Sequence, residues 1–266
     1  PISGGENDNG GYLSIIGFRF GTSGGLGTTT KVKIGGQEVA AYCTLEDHLN
    51  AAKFPGMQHL RVQVGALGGA LTLGEPYPIT VEVSGQASNA SFNFTPNPGR
   101  VIYVSLTGDD ATAVPNDITK PFRHLQFDDA PHGPGRGSGG VYPILRAGDQ
   151  VVIREGAWSD AGFNSAWFRF RDPAQQGSVP TGASGTGWVG FVGYPNEDVH
   201  YSTASGNKGG FQGPGSAFEG SCGDFTYFSN MRLDIPAGGA QSDGAPINLQ
   251  SISGPCRIVN NELGPW

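Results

Sequence analysis

Charge is scarce in this 266-residue chain. Asp, Glu, Lys and Arg make up 15% of it, against ~25% in an average soluble protein. The charge present leans acidic, with a formal net of −7. That leaves no basic face of the kind that displaces counterions from nucleic acid, and none for an anionic membrane surface. Cysteine is scarce as well. Cys43, Cys222 and Cys256 have no metal-ligand spacing, and an odd number leaves at least one thiol outside any pair within the chain. Two readings stay open: three small buried apolar side chains, or a Cys222–Cys256 disulfide. No apolar run approaches the ~20 residues of a membrane-spanning helix. Heptads and a G-x-y period are missing, which excludes a coiled coil and collagen. A phosphate-binding Gly-Lys loop and an H-E-x-x-H pair are missing too. What the chain has in quantity is turn residues, 45 Gly and 19 Pro. Its 37% hydrophobic and 10% aromatic content suffices for a core and is too rich for a disordered chain. The composition points to a turn-rich, all-β protein.

The pattern of apolar residues changes near Pro96-Asn97-Pro98-Gly99, dividing the chain into 1–98 and 99–266. The first part reads as short alternating strands between glycine turns. Leu13, Ile15 and then Ile16, Phe18, Phe20 change parity, which predicts a bulge or a strand that switches sheets. Lys31–Ile34 alternates, Gly35-Gly36 signals a hairpin, and Glu38–Leu45 is the return strand. Leu60–Val64, Ile79–Val83 and Ser91–Thr95 follow. Leu45–Lys53 is the one helical candidate. Five to seven short strands in this length predict a β-sandwich. In the second part Arg100–Ser105 is a strand and Pro121 a candidate first residue of a short helix. From about residue 144, short apolar runs recur at Val151–Ile153, Trp188–Val192, Phe225–Phe228, Ile247–Leu249 and Arg257–Val259. None is long enough to bury itself, whereas parallel stacking gives them a common core, as in a β-solenoid. The last two runs lie close enough to be two sides of one rung.

These segments carry two resemblances. Pro1-Ile2-Ser3-Gly4-Gly5, Gly10-Gly11, Ile15–Gly21 and Val32-Lys33-Ile34-Gly35-Gly36 resemble the opening of an IPT/TIG immunoglobulin-like domain. Tyr103-Val104-Ser105 with Gly108-Asp109-Asp110, then Pro121-Phe122-Arg123, Arg146–Gly156 and Val259–Glu262 resemble the start of a right-handed parallel β-helix of the pectin-lyase-like superfamily. The resemblance implies an immunoglobulin-like β-sandwich over 1–98 followed by a right-handed parallel β-helix over 99–266. It further implies an extracellular or cell-surface polysaccharide lyase or glycoside hydrolase, or a binding relative of one, with its groove on central coils. A β-helix closes with a cap, and Arg257–Trp266 has the character of an internal rung. The expectation is a chain that continues, or a last coil covered by a neighbouring subunit. The start at Pro1, without Met or a signal-peptide core, fits a processed N-terminus or a shortened chain.

Three groups of residues are candidates for chemistry. Asp109, Asp110 and Asp117, with Asn116 beside them, concentrate oxygen ligands suited to calcium, or form polar turns that bond their own backbone. Trp167-Phe168-Arg169-Phe170-Arg171 alternates aromatic and basic residues, which places Arg169 and Arg171 on one face. Together with Trp167 and Tyr194, and with Trp158 and Trp188 as further aromatics, they suit an acidic sugar through charge and stacking. The opposite expectation is that the aromatics fill the core. Lys208, His200 and Asp198 form no catalytic constellation, and Asp224, Asp234 and Asp243 fall near successive runs without a defined face. Catalytic residues are therefore not assigned. The reading is an extracellular polysaccharide-binding or polysaccharide-degrading protein. The alternatives are a non-catalytic surface protein or filament subunit that assembles through the open β-helix end, and an adhesin acting through its N-terminal domain. The partner is a polysaccharide or a neighbouring copy.

Overall fold

The computed structural model describes residues 10–48, 52–65, 71–89, 92–96, 99–125, 140–141, 144–158, 168–169, 187–202, 211–212, 226–234, 247–248 and 255–263. The chain is all-β there, with a single 3-10 turn at Ser23–Gly25. It divides into two compact units, Pro1–Val101 and Ile102–Trp266. Among the described residues no helix is long and apolar enough to cross a membrane.

The first unit holds strands β1 (Tyr12–Phe18), β2 (Thr30–Ile34), β3 (Gln37–Glu38), β4 (Ala41–Asp47), β5 (Met57–Gln63), β6 (Tyr77–Val83), β7 (Gln86–Ala87) and β8 (Asn93–Phe94). One antiparallel sheet has the order β1-β5-β4. The other runs β3-β2-β6-β7, with β8 also on β6. Alternation decides which side chains enter the core between them. Val32, Ile34 and Val81 come from the second sheet, and Leu45, Leu60 and Val62 from the first. The intervening Lys31 and Lys33 point outward to Glu38 and Glu82. Gly35 and Gly36 have φ of 57° and 83°, as a two-residue turn between twisted strands requires.

Three expectations are corrected here. Leu45–Lys53 is not a helix, because Leu45–Asp47 completes β4. Leu45 pairs with Leu60 and gains the core, whereas an isolated helix of that length is marginal. The parity change at Ile15–Ile16 produces no bulge, since β1 pairs with β5 in unbroken register. Leu13 and Ile15 pack on the core while Ile16 and Phe18 stay exposed. The irregularity falls instead in β4, between Tyr42 and Thr44. Finally, Glu38–Leu45 is not one return strand. Glu38 pairs with β2, and from Ala41 the chain joins the other sheet.

The second unit runs through β9 (Val101–Val104), β10 (Gln150–Ile153), β11 (Gly156–Trp158), β12 (Phe168–Arg169), β13 (Val189–Gly193), β14 (Val199–Ser202), β15 (Phe211–Gln212), β16 (Thr226–Ser229), β17 (Arg232–Asp234), β18 (Ile247–Asn248), β19 (Cys256–Val259) and β20 (Glu262–Leu263). They form three sheets, ordered β19-β16-β13-β10-β9, β11-β14-β17-β20 and β12-β15-β18. From β10 onward the chain visits the sheets in rotation, and strands from successive passes pair in parallel. Val151 aligns with Phe191, Phe191 with Phe228, and Phe228 with Ile258. The rings of Phe191 and Phe228 stack with centroids 5.3 Å apart. Val151, Ile153, Val189, Phe191 and Phe228 join Ile102, Val104 and Trp158 in one core. β18 and β19 lie in different sheets, so the last two runs are two sides of one coil. Pro121 begins no helix; Phe122 bridges Val104 instead, and the amide of Ser105 donates to the Phe122 carbonyl.

Candidate saccharide-binding face of the first parallel sheet

Residues that alternate with the Val151–Phe191–Phe228–Ile258 column face away from the core. In register they are Gln150, Gly190, Tyr227 and Arg257. Gly190 is the residue that lets this row form. A Cβ at that position would lie 2.1 Å from Cζ of Tyr227, so the phenol ring occupies the space a side chain would fill. Nε2 of Gln150 then donates to the Tyr227 hydroxyl at 2.7 Å. Burial pushes the phenol pKa up to about 12, which keeps the hydroxyl protonated and able to donate.

The row is closed at Gln150, which is buried, and opens toward Arg257, which is exposed. The Arg257 guanidinium lies 4.5 Å from the ring centroid of the half-buried Trp188. Among the described residues no carboxylate pairs with Arg257. The N–H groups of a guanidinium match a carboxylate in a bidentate fork.

A second arginine–aromatic pair lies at the passage from the first to the second sheet. Arg154 and Glu155 suffice to join β10 to β11, but Tyr194–Asp198 is needed between β13 and β14. The longer turn returns Glu197 to the neighbouring coil. There Nε of Arg154 donates to both Glu197 carboxylate oxygens at 2.9 and 2.8 Å, and the Glu155 amide donates to Oε2 at 2.7 Å. Arg154 also covers the Tyr194 ring at 4.3 Å. One face of Tyr194 is therefore occupied, and the charge of Arg154 is already matched.

The residues expected from sequence are distributed as follows. Tyr194 is in this turn, while Arg169 belongs to β12 in the third sheet and pairs with Gln212. Trp167 and Arg171 lie outside the described residues, as do Lys208, Cys222, Asp224, Asp243 and Trp266. Trp158 is fully buried and its indole N–H donates to the Arg154 carbonyl, so it is a core residue. Asp109 accepts from the Ala111 amide and the Thr112 hydroxyl. Asp110 accepts from the amides of Arg123 and His124 and pairs with Nδ1 of His124 at 2.7 Å. Asp117 accepts from the hydroxyl and amide of Thr119, bonds that hold its pKa below the usual carboxylate range. Asp109 and Asp117 thus brace their own loops, and Asp110 ties its loop to the Arg123-His124 segment. Among the described residues no three His, Cys, Asp or Glu side chains gather as a metal-binding group.

No family model, curated protein or solved structure matches the chain. The face must therefore be read from its own chemistry. Trp188 was among the aromatics singled out in the sequence. Gln150, Tyr227 and Arg257 were not, because what unites them is register across three coils. The one local sign was Gly190, a glycine between Val189 and Phe191 in a run otherwise fit for full burial.

Proposed function

We propose that this chain is an extracellular or cell-surface protein with an immunoglobulin-like β-sandwich and a right-handed parallel β-helix. It binds an acidic polysaccharide on the outward face of the first parallel sheet. The observation that carries the reading is the Trp188–Arg257 pair: an exposed arginine over an indole, without a carboxylate partner among the described residues, and with the Tyr227 hydroxyl anchored along the same row. Aromatic faces take sugar rings, and the guanidinium edge takes a sugar carboxylate. The resemblance to pectin-lyase-like proteins supports the same substrate class, and lyase or hydrolase activity rests on that resemblance alone.

Binding isotherms of the whole chain with polygalacturonate, alginate, a glycosaminoglycan and a neutral glucan test the reading. An acidic polymer should bind better than the neutral one, and more weakly at high salt. Arg257→Ala removes a charge-assisted contact of about 1.5–3 kcal/mol, so affinity should fall by roughly tenfold or more. Trp188→Ala should weaken binding to every polymer that stacks. Equal affinity of wild type and Arg257→Ala would dismiss this face as the site.

One observation favours a second reading, that of a structural subunit. Among the described residues β19 ends the order of its sheet, and Ile258 and Val259 are 39% and 41% exposed. An apolar edge strand is a template for a further coil supplied by a neighbour. Concentration-dependent growth seen by light scattering, and abolished by Ile258→Lys with Val259→Lys, would support assembly.

A further inference from the structure

In the first unit, the face of the β1–β5–β4 sheet that points away from the core carries polar side chains that are nonetheless buried. β5 supplies His59, Arg61 and Gln63, β4 supplies Thr44, and His48 follows just past the end of β4. Nε of Arg61 donates to the Thr44 hydroxyl at 2.8 Å, and Nη2 pairs with Glu46. His59 is 1% exposed. Its Nδ1 lies 3.5 Å from Glu46, and the His48 ring meets its ring edge-on with centroids 6.2 Å apart.

We infer that this face is an acid-sensitive lock: the neutral imidazole of His59, enclosed beside Arg61 and His48, keeps β5 seated against β4, and protonation of that ring unseats it. Among the described residues, the neighbouring charged or ionisable groups are these. From β5 there is Arg61, permanently positive. From β4 there is Glu46, already engaged by Arg61 and about half exposed, and just past the end of β4 there is His48. From β1, Ile16 stands opposite His59, and the ionisable Tyr12 is level with Gln63 at the far end of the strand. A second cation on the ring therefore meets the fixed cation of Arg61 and a partly hydrated carboxylate already shared with it, at a ring that is almost fully buried.

Burial first, then Arg61 and His48, lower the His59 pKa from 6.5 to about 3. The unfolded chain takes up the proton first. The stabilisation is complete above about pH 6.5 and is lost progressively as pH falls toward about 3. Within that window the closed-to-open ratio drops by about tenfold per pH unit.

The test is amide hydrogen exchange of Leu60 and Val62 in the whole chain, compared at about pH 6 and pH 5 after correction for intrinsic exchange. Most carboxylates keep their charge in that interval. Protection should fall about tenfold in the wild type and stay level in His59→Gln, whose side chain does not titrate. An equal loss in both proteins would overturn the inference. Should the variant fail to fold, the imidazole carbon-bound proton of His59 gives a second measurement on wild type. Its shift should remain that of a neutral ring at pH 5, and a midpoint between 6 and 7 would overturn the inference.

Discussion

At the scale of single residues, the two faces of interest depend on side chains that local pattern alone would treat as neutral. Tyr227 is one. Its hydroxyl accepts from the Gln150 side-chain amide in a partly buried stretch of the first parallel sheet. Tyr227→Phe removes that hydrogen bond, which costs about 0.5–1.5 kcal/mol, and chemical denaturation should show a lower midpoint with an unchanged slope. Gly190→Ala acts from below the same ring. The added methyl group meets Tyr227 rather than open space, and overpacking of this kind costs about 1–3 kcal/mol. The signature that separates it from a general loss of stability is a red-edge change in tyrosine absorbance or fluorescence that Tyr227→Phe removes. Phe191→Asp, which places a charge in the stacked column, should prevent folding of the second unit.

At the scale of elements, the Tyr194–Asp198 turn joins one coil to the next through Arg154 and Glu197. Glu197→Ala frees Arg154 from its carboxylate. Because the Arg154 side chain keeps about a third of its surface in water, the expected loss of stability is only about 1 kcal/mol, but protease cleavage within 194–198 should speed up. The elements also show how far the sequence could be read. The Val151, Val189 and Phe228 runs were legible because β-branched and aromatic residues in short blocks suit strands buried on both faces. Their outward row was not, because Gln150, Gly190, Tyr227 and Arg257 are brought together only by coils of unequal length. In β5, the alternation of Leu60, Val62 and Val64 gave the inward face correctly. Arg61 and Gln63 between them, and His59 before them, are buried as well, which alternation alone does not foretell. Leu45–Lys53 failed for a related reason. Its helical spacing was a local preference, overridden by the pairing of Leu45 with Leu60.

At the scale of the whole molecule, two cores of different construction lie in one chain. The first is enclosed by antiparallel sheets and the second by three parallel ones. Units with separate cores unfold separately unless they are strongly coupled. Calorimetry should therefore resolve two transitions. Lowering the pH from about 7 to 5 should move the transition of the first unit furthest, and His59→Gln should remove most of that shift. A single transition that moves as one with pH would argue that the cores melt together.

The constant register of the parallel strands has a consequence for how such a protein can change over generations. Each coil offers its successor the same pattern of backbone bonds and the same inward column. A duplicated coil therefore meets a stack that already fits it, and lengthens the outward row by one step of ~4.8 Å. Substitutions at the exposed Arg257 end of that row change its surface chemistry, while Val151, Phe191 and Phe228 keep the stack intact. Length and surface chemistry can thus be altered one at a time, by different kinds of mutation.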